Sequence, residues 1–99
     1  MKSLLNRLYE FNVSRGWIEY HDAKSLILAL VGEVGELAEV FCWHRSSRQV
    51  SKARKRTASF EIADIFIYLA ALSRELGIDM EKAVTEKLGE NAKRFPAKR

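Results

Sequence analysis

Apolar side chains recur at helical spacing in four segments of the chain. The first segment runs from about Ser3 to Val13. The second runs from Ala23 to about His44 and the third from Lys52 to about Leu76. Within them, residues 26–41 and 61–72 are apolar on almost every side apart from their acidic residues. The fourth runs from Met80 to about Arg94 and has a single apolar side. Since no segment alternates as a strand does and no internal repeat stands out, the pattern predicts an all-α, four-helix bundle-like fold with short connections.

Side chains suited to helix ends flank these segments. Asp22, Ser51 and Asp79 stand immediately before the second, third and fourth segments, where a short polar side chain can accept hydrogen bonds from free N–H groups. Gly16 and Gly77 follow the first and third segments, where glycine readily adopts the left-handed conformation that ends a helix. Four separate helices are therefore predicted.

Two pairs of acidic residues interrupt the apolar central helices. Glu33 and Glu36 form the first pair, and Glu61 and Asp64 form the second. A separation of three residues places both carboxylates of a pair on nearly the same helix face, one turn apart. A buried carboxylate is costly unless it is protonated, hydrogen-bonded or paired with a cation, and few Lys or Arg residues lie within these segments. The pattern favours a divalent metal site of carboxylate oxygens, which suits Mg²⁺ or Mn²⁺.

Two alternatives to a magnesium site remain open for these acids. In one, the carboxylates are half-exposed and pair with Lys or Arg side chains of neighbouring helices. The other is a di-iron bundle, which normally carries a Glu-x-x-His motif on its helices. The residues three positions before His21 and His44 are Ile18 and Phe41, so that motif is absent.

Length and composition indicate a small oligomeric domain. Ninety-nine residues fit a single domain, 1–99, and the apolar central helices exceed what so small a core can cover. We therefore expect a homo-oligomer, a homotetramer or else a homodimer. Glutamates interrupt the longest apolar run before it could span a membrane, and the N-terminus lacks the apolar stretch of a signal peptide. Cys42 is the single cysteine, which excludes an internal disulfide, and a cytoplasmic location is expected.

The net charge of +4 comes from one basic segment. From Val40 to Phe60 there are six Lys or Arg residues and no acid, whereas the remainder holds eleven basic and thirteen acidic residues. Residues 45–56 carry all six of these basic side chains. They are typical of a solvated loop and helix start, and they could also steer anionic ligands towards the protein. Nucleic acid is not favoured as a partner, because the segment has no interleaved aromatic residue and no recognition motif.

The acidic motif also has a familiar arrangement. Glu33-x-x-Glu36, a gap of 24 residues and then Glu61-x-x-Asp64 resembles the MazG-like all-α nucleoside triphosphate pyrophosphohydrolases, and among them the branch that contains the dCTP pyrophosphatases. The sequence departs from that family at Phe60, where relatives often have another acid, and in its basic loop. Neither change removes a proposed ligand. The other matching positions are Trp17, His21, residues 30–39, Trp43, residues 64–69 and Lys87-x-x-x-Asn91-x-x-Arg94-Phe95-Pro96.

The resemblance implies a metal-dependent hydrolysis. Mg²⁺, with Mn²⁺ as a substitute, would bridge the triphosphate and four carboxylates while water attacks the α-phosphorus, and a monophosphate and pyrophosphate would leave. The resemblance makes Glu33, Glu36, Glu61 and Asp64 the metal ligands and catalytic residues. The carboxylate that accepts a proton from the attacking water stays open among these four and Glu39.

The resemblance also implies which residues bind the substrate. Lys87, Asn91 and Arg94 share one face of the fourth helix and would hold phosphates and sugar, although such a face is otherwise simply solvated. Four side chains would form the base pocket, although aromatic residues more often serve core packing. They are Trp17, His21, Trp43 and Tyr68.

The function expected from these features is hydrolysis of nucleoside triphosphates, with dCTP-like pyrimidine or modified deoxynucleotides first, in a house-cleaning role that protects the nucleotide pool. Two alternatives belong to other classes of protein. One is a helical module that binds nucleic acid through the basic segment. The other is a catalytically silent helical interaction protein.

Overall fold

The computed structural model describes residues 1–43 and 49–98, which form four α-helices and one 3₁₀ turn. The 3₁₀ turn, Ile18–Tyr20, lies in the connection between the first two helices. No strand occurs in the described ranges, so the predicted all-α class is confirmed. The helices are α1 (Lys2–Ser14), α2 (Ala23–Phe41), α3 (Lys52–Glu75) and α4 (Met80–Arg94).

The predicted helix ends are present. Asp22, Ser51 and Asp79 each accept a hydrogen bond from the backbone N–H three positions further on, at 2.8, 3.2 and 3.0 Å. Gly16 and Gly77 adopt φ angles of 70° and 67°, a conformation that side chains with a Cβ rarely tolerate. These ends are local in origin, because each rests on one side chain and a few neighbouring backbone groups.

The C-terminal end of α2 differs from the expectation. The helix ends at Phe41 with Cys42 as its C-cap, three residues before the expected end at His44, which lies outside the described residues. The Trp43 side chain is 91% exposed. Since it buries almost no area, it adds little hydrophobic stabilisation that would extend the helix.

The helices pack unequally. α2 lies along α3, and α1 also contacts α3, whereas α4 makes only marginal contact with the other described helices. The buried apolar residues among those described are Leu26, Ala58 and Ala70. A closed four-helix bundle therefore remains a prediction, and the pair of α2 and α3 is the part of the fold that positions the acidic residues.

The chain is more open than a compact monomer of its size. Its Cα radius of gyration is 16.5 Å, whereas about 13 Å is expected for a compact domain of this length. Its accessible surface is 8504 Å², against about 5,800 Å² for a typical monomer of this mass. Part of the excess lies on α2, where Leu28 and Val31 are 63% and 62% exposed.

Among the described residues, no helix combines the length and the apolar character needed to cross a membrane.

Candidate active site

Packing of α2 along α3 brings three of the four predicted acidic ligands together. Glu33 from α2 and Glu61 and Asp64 from α3 each offer a carboxylate oxygen, and these oxygens lie within 4.8 Å of one another. Glu36 lies one turn further along α2, is exposed, and is not part of this triplet. We call Glu33, Glu61 and Asp64 the carboxylate cluster.

Two oxygens of the carboxylate cluster are enclosed without a partner. Glu33 Oε2 and Glu61 Oε2 are buried, and neither accepts a hydrogen bond from the described residues. The ion pair recorded in the described ranges joins Lys87 to Glu90 and does not involve the cluster. The interpretation in which these acids pair with basic side chains of neighbouring helices therefore finds no support in these ranges. Enclosed oxygens of this kind suit a hard divalent cation, which prefers an all-oxygen donor set.

The pKa of Glu33 reports the same crowding. It is raised from the usual 4.5 to about 7, first because burial penalises the charged form and then because the neighbouring Glu61 side chain favours the protonated form. Repulsion from Glu36, Asp64 and Glu61 adds to the effect. A proton on Glu33 therefore relieves the repulsion when no cation is bound.

An aromatic cavity of about 550 Å³ opens beside the carboxylate cluster. Asp64 belongs to both, and Tyr68, one turn later on α3, lines the cavity. Phe11 and Trp17 meet edge to face in its wall, with ring centroids 5.7 Å apart. Its volume lies within the range of small-molecule sites. Trp17, His21 and Tyr68, three of the four residues predicted for a base pocket, thus line one cavity.

Other predicted binding residues lie away from this cavity. Trp43, the fourth candidate for the base pocket, lines neither cavity described here. The same holds for Lys87, Asn91 and Arg94 on α4, the helix whose Met80 lines the smaller of these two cavities. Lys87 forms an exposed ion pair with Glu90 at 3.6 Å, an interaction worth little in solvent. The binding role of these four residues stays a prediction.

A second, smaller cavity of about 320 Å³ lies between α1 and the end of α3. The Arg74 guanidinium stands 3.3 Å from the centroid of the Tyr9 ring, and both side chains line this cavity. Asn12 and His21 line both cavities, so they lie in the wall between them.

Sequence reasoning missed Phe11 and Asn12 in the aromatic cavity. The signal for Asn12 was present, since it is a polar residue that continues the apolar face formed by Leu5 and Leu8 on α1. A polar residue on a buried helix face is uncommon unless it has a partner.

The chain is similar in sequence to proteins of one family. A profile of the MazG-like family matches residues 29–99. The chain is 42% identical over 98 residues to dCTP pyrophosphatase 1 from Homo sapiens, covering 94% of this chain and 58% of that protein. It is 40% identical over 97 residues to dCTP pyrophosphatase 1 from Rattus norvegicus, covering 93% of this chain and 57% of that protein. The chain thus spans a little over half the length of these curated relatives.

A solved structure is similar over nearly the whole chain. A pyrophosphatase from Archaeoglobus fulgidus superimposes with a TM-score of 0.89 at 41% sequence identity, and the match covers 98% of this chain and 93% of that one.

Proposed function

Because the chain belongs to the MazG-like family, we propose that it is a Mg²⁺-dependent nucleoside triphosphate pyrophosphohydrolase. It converts a nucleoside triphosphate and water into a nucleoside monophosphate and pyrophosphate. The water oxygen bonds to the α-phosphorus, the bond from that phosphorus to the bridging oxygen breaks, and pyrophosphate leaves.

The observation that carries this proposal is the position of Asp64, which belongs both to the carboxylate cluster and to the wall of the aromatic cavity. A nucleotide has the same two parts side by side, a polyphosphate that attracts cations and a flat base that stacks on aromatic rings. The carboxylate cluster alone would equally well fit a simple metal-binding site, and the aromatic cavity alone would equally well fit an apolar ligand.

The carboxylate cluster supplies the donor set for the metal. Glu33, Glu61 and Asp64 would hold it, and exposed Glu36 would complete the set from the next turn of α2. A divalent cation bound there would neutralise phosphate charge and lower the pKa of a bound water. A carboxylate of the cluster accepts the proton from the attacking water, and Trp17 and Tyr68 position the base.

The names of the relatives suggest the substrate. Both curated relatives are called dCTP pyrophosphatase 1, which favours dCTP-like or modified deoxynucleotides for this chain as well. The physiological role in this proposal is house-cleaning of the nucleotide pool in the cytoplasm.

The exposed apolar surface supports an oligomer, in which more than one chain completes each site. Leu28 and Val31 on α2 and Leu88 on α4 are more than half exposed, and an additional Cβ at Gly32 or Gly35 would meet nothing within 4 Å. A neighbouring copy packed on these faces would bury apolar area that the single chain leaves in water. It would also bring Lys87, Asn91 and Arg94 of one α4 towards the cluster of another chain.

Pyrophosphate release from a panel of nucleoside triphosphates tests the proposed activity, with Mg²⁺ and with a chelator. We expect pyrophosphate and monophosphate in equal amounts, and only when metal is present. Glu61→Gln should lower kcat/KM by about 100-fold or more. Glu10→Gln, an exposed acid on α1, is the matched control and should leave the activity unchanged.

The same panel separates the alternative functions. Hydrolysis that persists with the chelator, or in Glu61→Gln, contradicts the assigned site. Absence of hydrolysis for every nucleotide, with steeply salt-dependent binding to DNA or RNA, favours the nucleic-acid module. Absence of both hydrolysis and metal binding, with oligomerisation intact, favours the interaction protein.

A further inference from the structure

Asn12 is the buried polar residue of the described chain. It is 7% exposed, lies in the last turn of α1, and shares the face of Leu5 and Leu8 that points towards α3. Its backbone carbonyl accepts a hydrogen bond from the Trp17 N–H at 3.0 Å and so ties α1 to the following connection. That bond involves the backbone alone and leaves the side chain unexplained.

The Asn12 side chain has no hydrogen-bond partner among the described residues. A side-chain amide has two donors and an acceptor, and in a buried residue these groups are normally paired. Asn12 instead lines the aromatic cavity. An unpaired amide at that position is suited to a hydrogen bond with whatever fills the cavity.

Other polar side chains also line the aromatic cavity, among them Tyr20, His21 and Tyr68. The Ser25 hydroxyl donates to Asp22 at 2.9 Å, and Asp64 is part of the carboxylate cluster. Asn12 combines a donor and an acceptor in one planar group, at a buried point of the wall. Aromatic rings can hold the faces of a base, but they do not read its edge.

We propose that Asn12 is a base-recognition residue, whose side-chain amide binds the hydrogen-bonding edge of the nucleobase in the aromatic cavity. A side-chain amide pairs in bidentate fashion with a base edge that presents a donor beside an acceptor. For cytosine, Oδ1 accepts from the N4 amino group while Nδ2 donates to N3. This assignment rests on the proposed function and adds to it a residue that distinguishes a base from a flat ring without a hydrogen-bonding edge.

The kinetic test compares two substrates of similar shape, dCTP and the triphosphate of a 2,4-difluorotoluene deoxynucleoside, whose ring has no conventional hydrogen-bonding edge. Asn12→Leu should lower kcat/KM for dCTP by about 10- to 100-fold, mainly through KM, and that for the nonpolar substrate by less than about 3-fold. Asn6→Leu, an exposed asparagine on the same helix, is the matched control and should change neither. Equal losses for both substrates, or no loss for dCTP, overturn the assignment.

A binding test needs no variant and no hydrolysis. Deoxycytidine, which carries no phosphate, is titrated into the wild-type protein while the Asn12 side-chain NH₂ resonances are followed by ¹⁵N NMR. We expect them to shift with deoxycytidine and to stay in place with the difluorotoluene deoxynucleoside. If deoxycytidine leaves them unmoved, the Asn12 assignment is wrong even where the enzyme is active. A wild type that hydrolyses no nucleotide instead overturns the proposed function.

Discussion

At the scale of the single residue, two requirements act on the charge of Glu33 in opposite directions. Its position on α2 buries one carboxylate oxygen beside Glu61, and its proposed role as a metal ligand requires the charged form. Without metal, burial and the neighbouring acids raise its pKa to about 7. Without a cation, the crowding of these acids stabilises the protonated form of Glu33. With a cation, the same closely spaced negative charges favour binding, because they have a common partner.

The stability of the metal-free protein should therefore depend on pH. Since the folded-state pKa of Glu33 lies above its usual 4.5, its stabilising contribution is full below pH 4.5 and is lost as the pH rises through about 7. We expect the free energy of unfolding in urea to fall across this window, and saturating Mg²⁺ to oppose the fall. Glu33→Gln should flatten the dependence, because glutamine does not titrate.

The matched control for this titration is Glu10→Gln, which should keep the slope of the wild type. A slope that is unchanged in Glu33→Gln would show that another group titrates in this window.

Sequence reasoning reached some of these residues and missed others for physical reasons. Glu33, Glu61 and Asp64 were predictable because charged side chains inside apolar helices are costly. Asn12 continues the apolar face of α1 but was missed, since a neutral amide at the end of a helix is common and its burial depends on how α1 packs against α3.

At the scale of the element, helix α4 depends mainly on local interactions. It runs from Met80 to Arg94 and makes only marginal contact with the other described helices, so local interactions support it within the chain. Its N-cap is Asp79, whose side chain accepts from the Lys82 N–H at 3.0 Å.

Removing this cap should weaken α4. Asp79→Ala is expected to cost about 1 kcal/mol of stability, because a capping hydrogen bond to the first turn is lost. Circular dichroism during thermal unfolding measures the loss. Asp79→Asn keeps a capping oxygen and should remain close to wild type, whereas equal losses in both variants would assign the effect to charge at the helix N-terminus.

The elements were more predictable than their packing. The ends of α1, α3 and α4 fell within a residue of the expectation, since capping side chains and glycines act locally. The end of α2 did not, because the apolar sequence continues to Trp43 while the burial that would support a longer helix is missing. The marginal packing of α4 depends on tertiary structure, which no local pattern contains.

At the scale of the whole molecule, the exposed apolar faces should be contact surfaces between copies of the chain. Leu28→Glu places a charge on the open face of α2, where Leu28 is 63% exposed. We expect size-exclusion chromatography with light scattering to show a smaller assembly, and the pyrophosphohydrolase activity to fall with it, because a charge is costly in an apolar interface.

Asn6→Glu is the control for Leu28→Glu, since it adds the same charge at an exposed polar position on α1, away from the open face of α2. It should preserve the assembly. An unchanged mass for Leu28→Glu would exclude the α2 face as the interface.

The weak attachment of α4 makes the proposed activity per chain depend on the concentration of the chain. A helix of 15 residues that lacks tertiary packing is only marginally stable in water. If a neighbouring copy is what orders α4, then dilution frays it and also removes Lys87, Asn91 and Arg94 from their proposed contacts with the substrate. The rate per chain would then rise with chain concentration, so that doubling the expression of this protein more than doubles the nucleotide turnover of the cell.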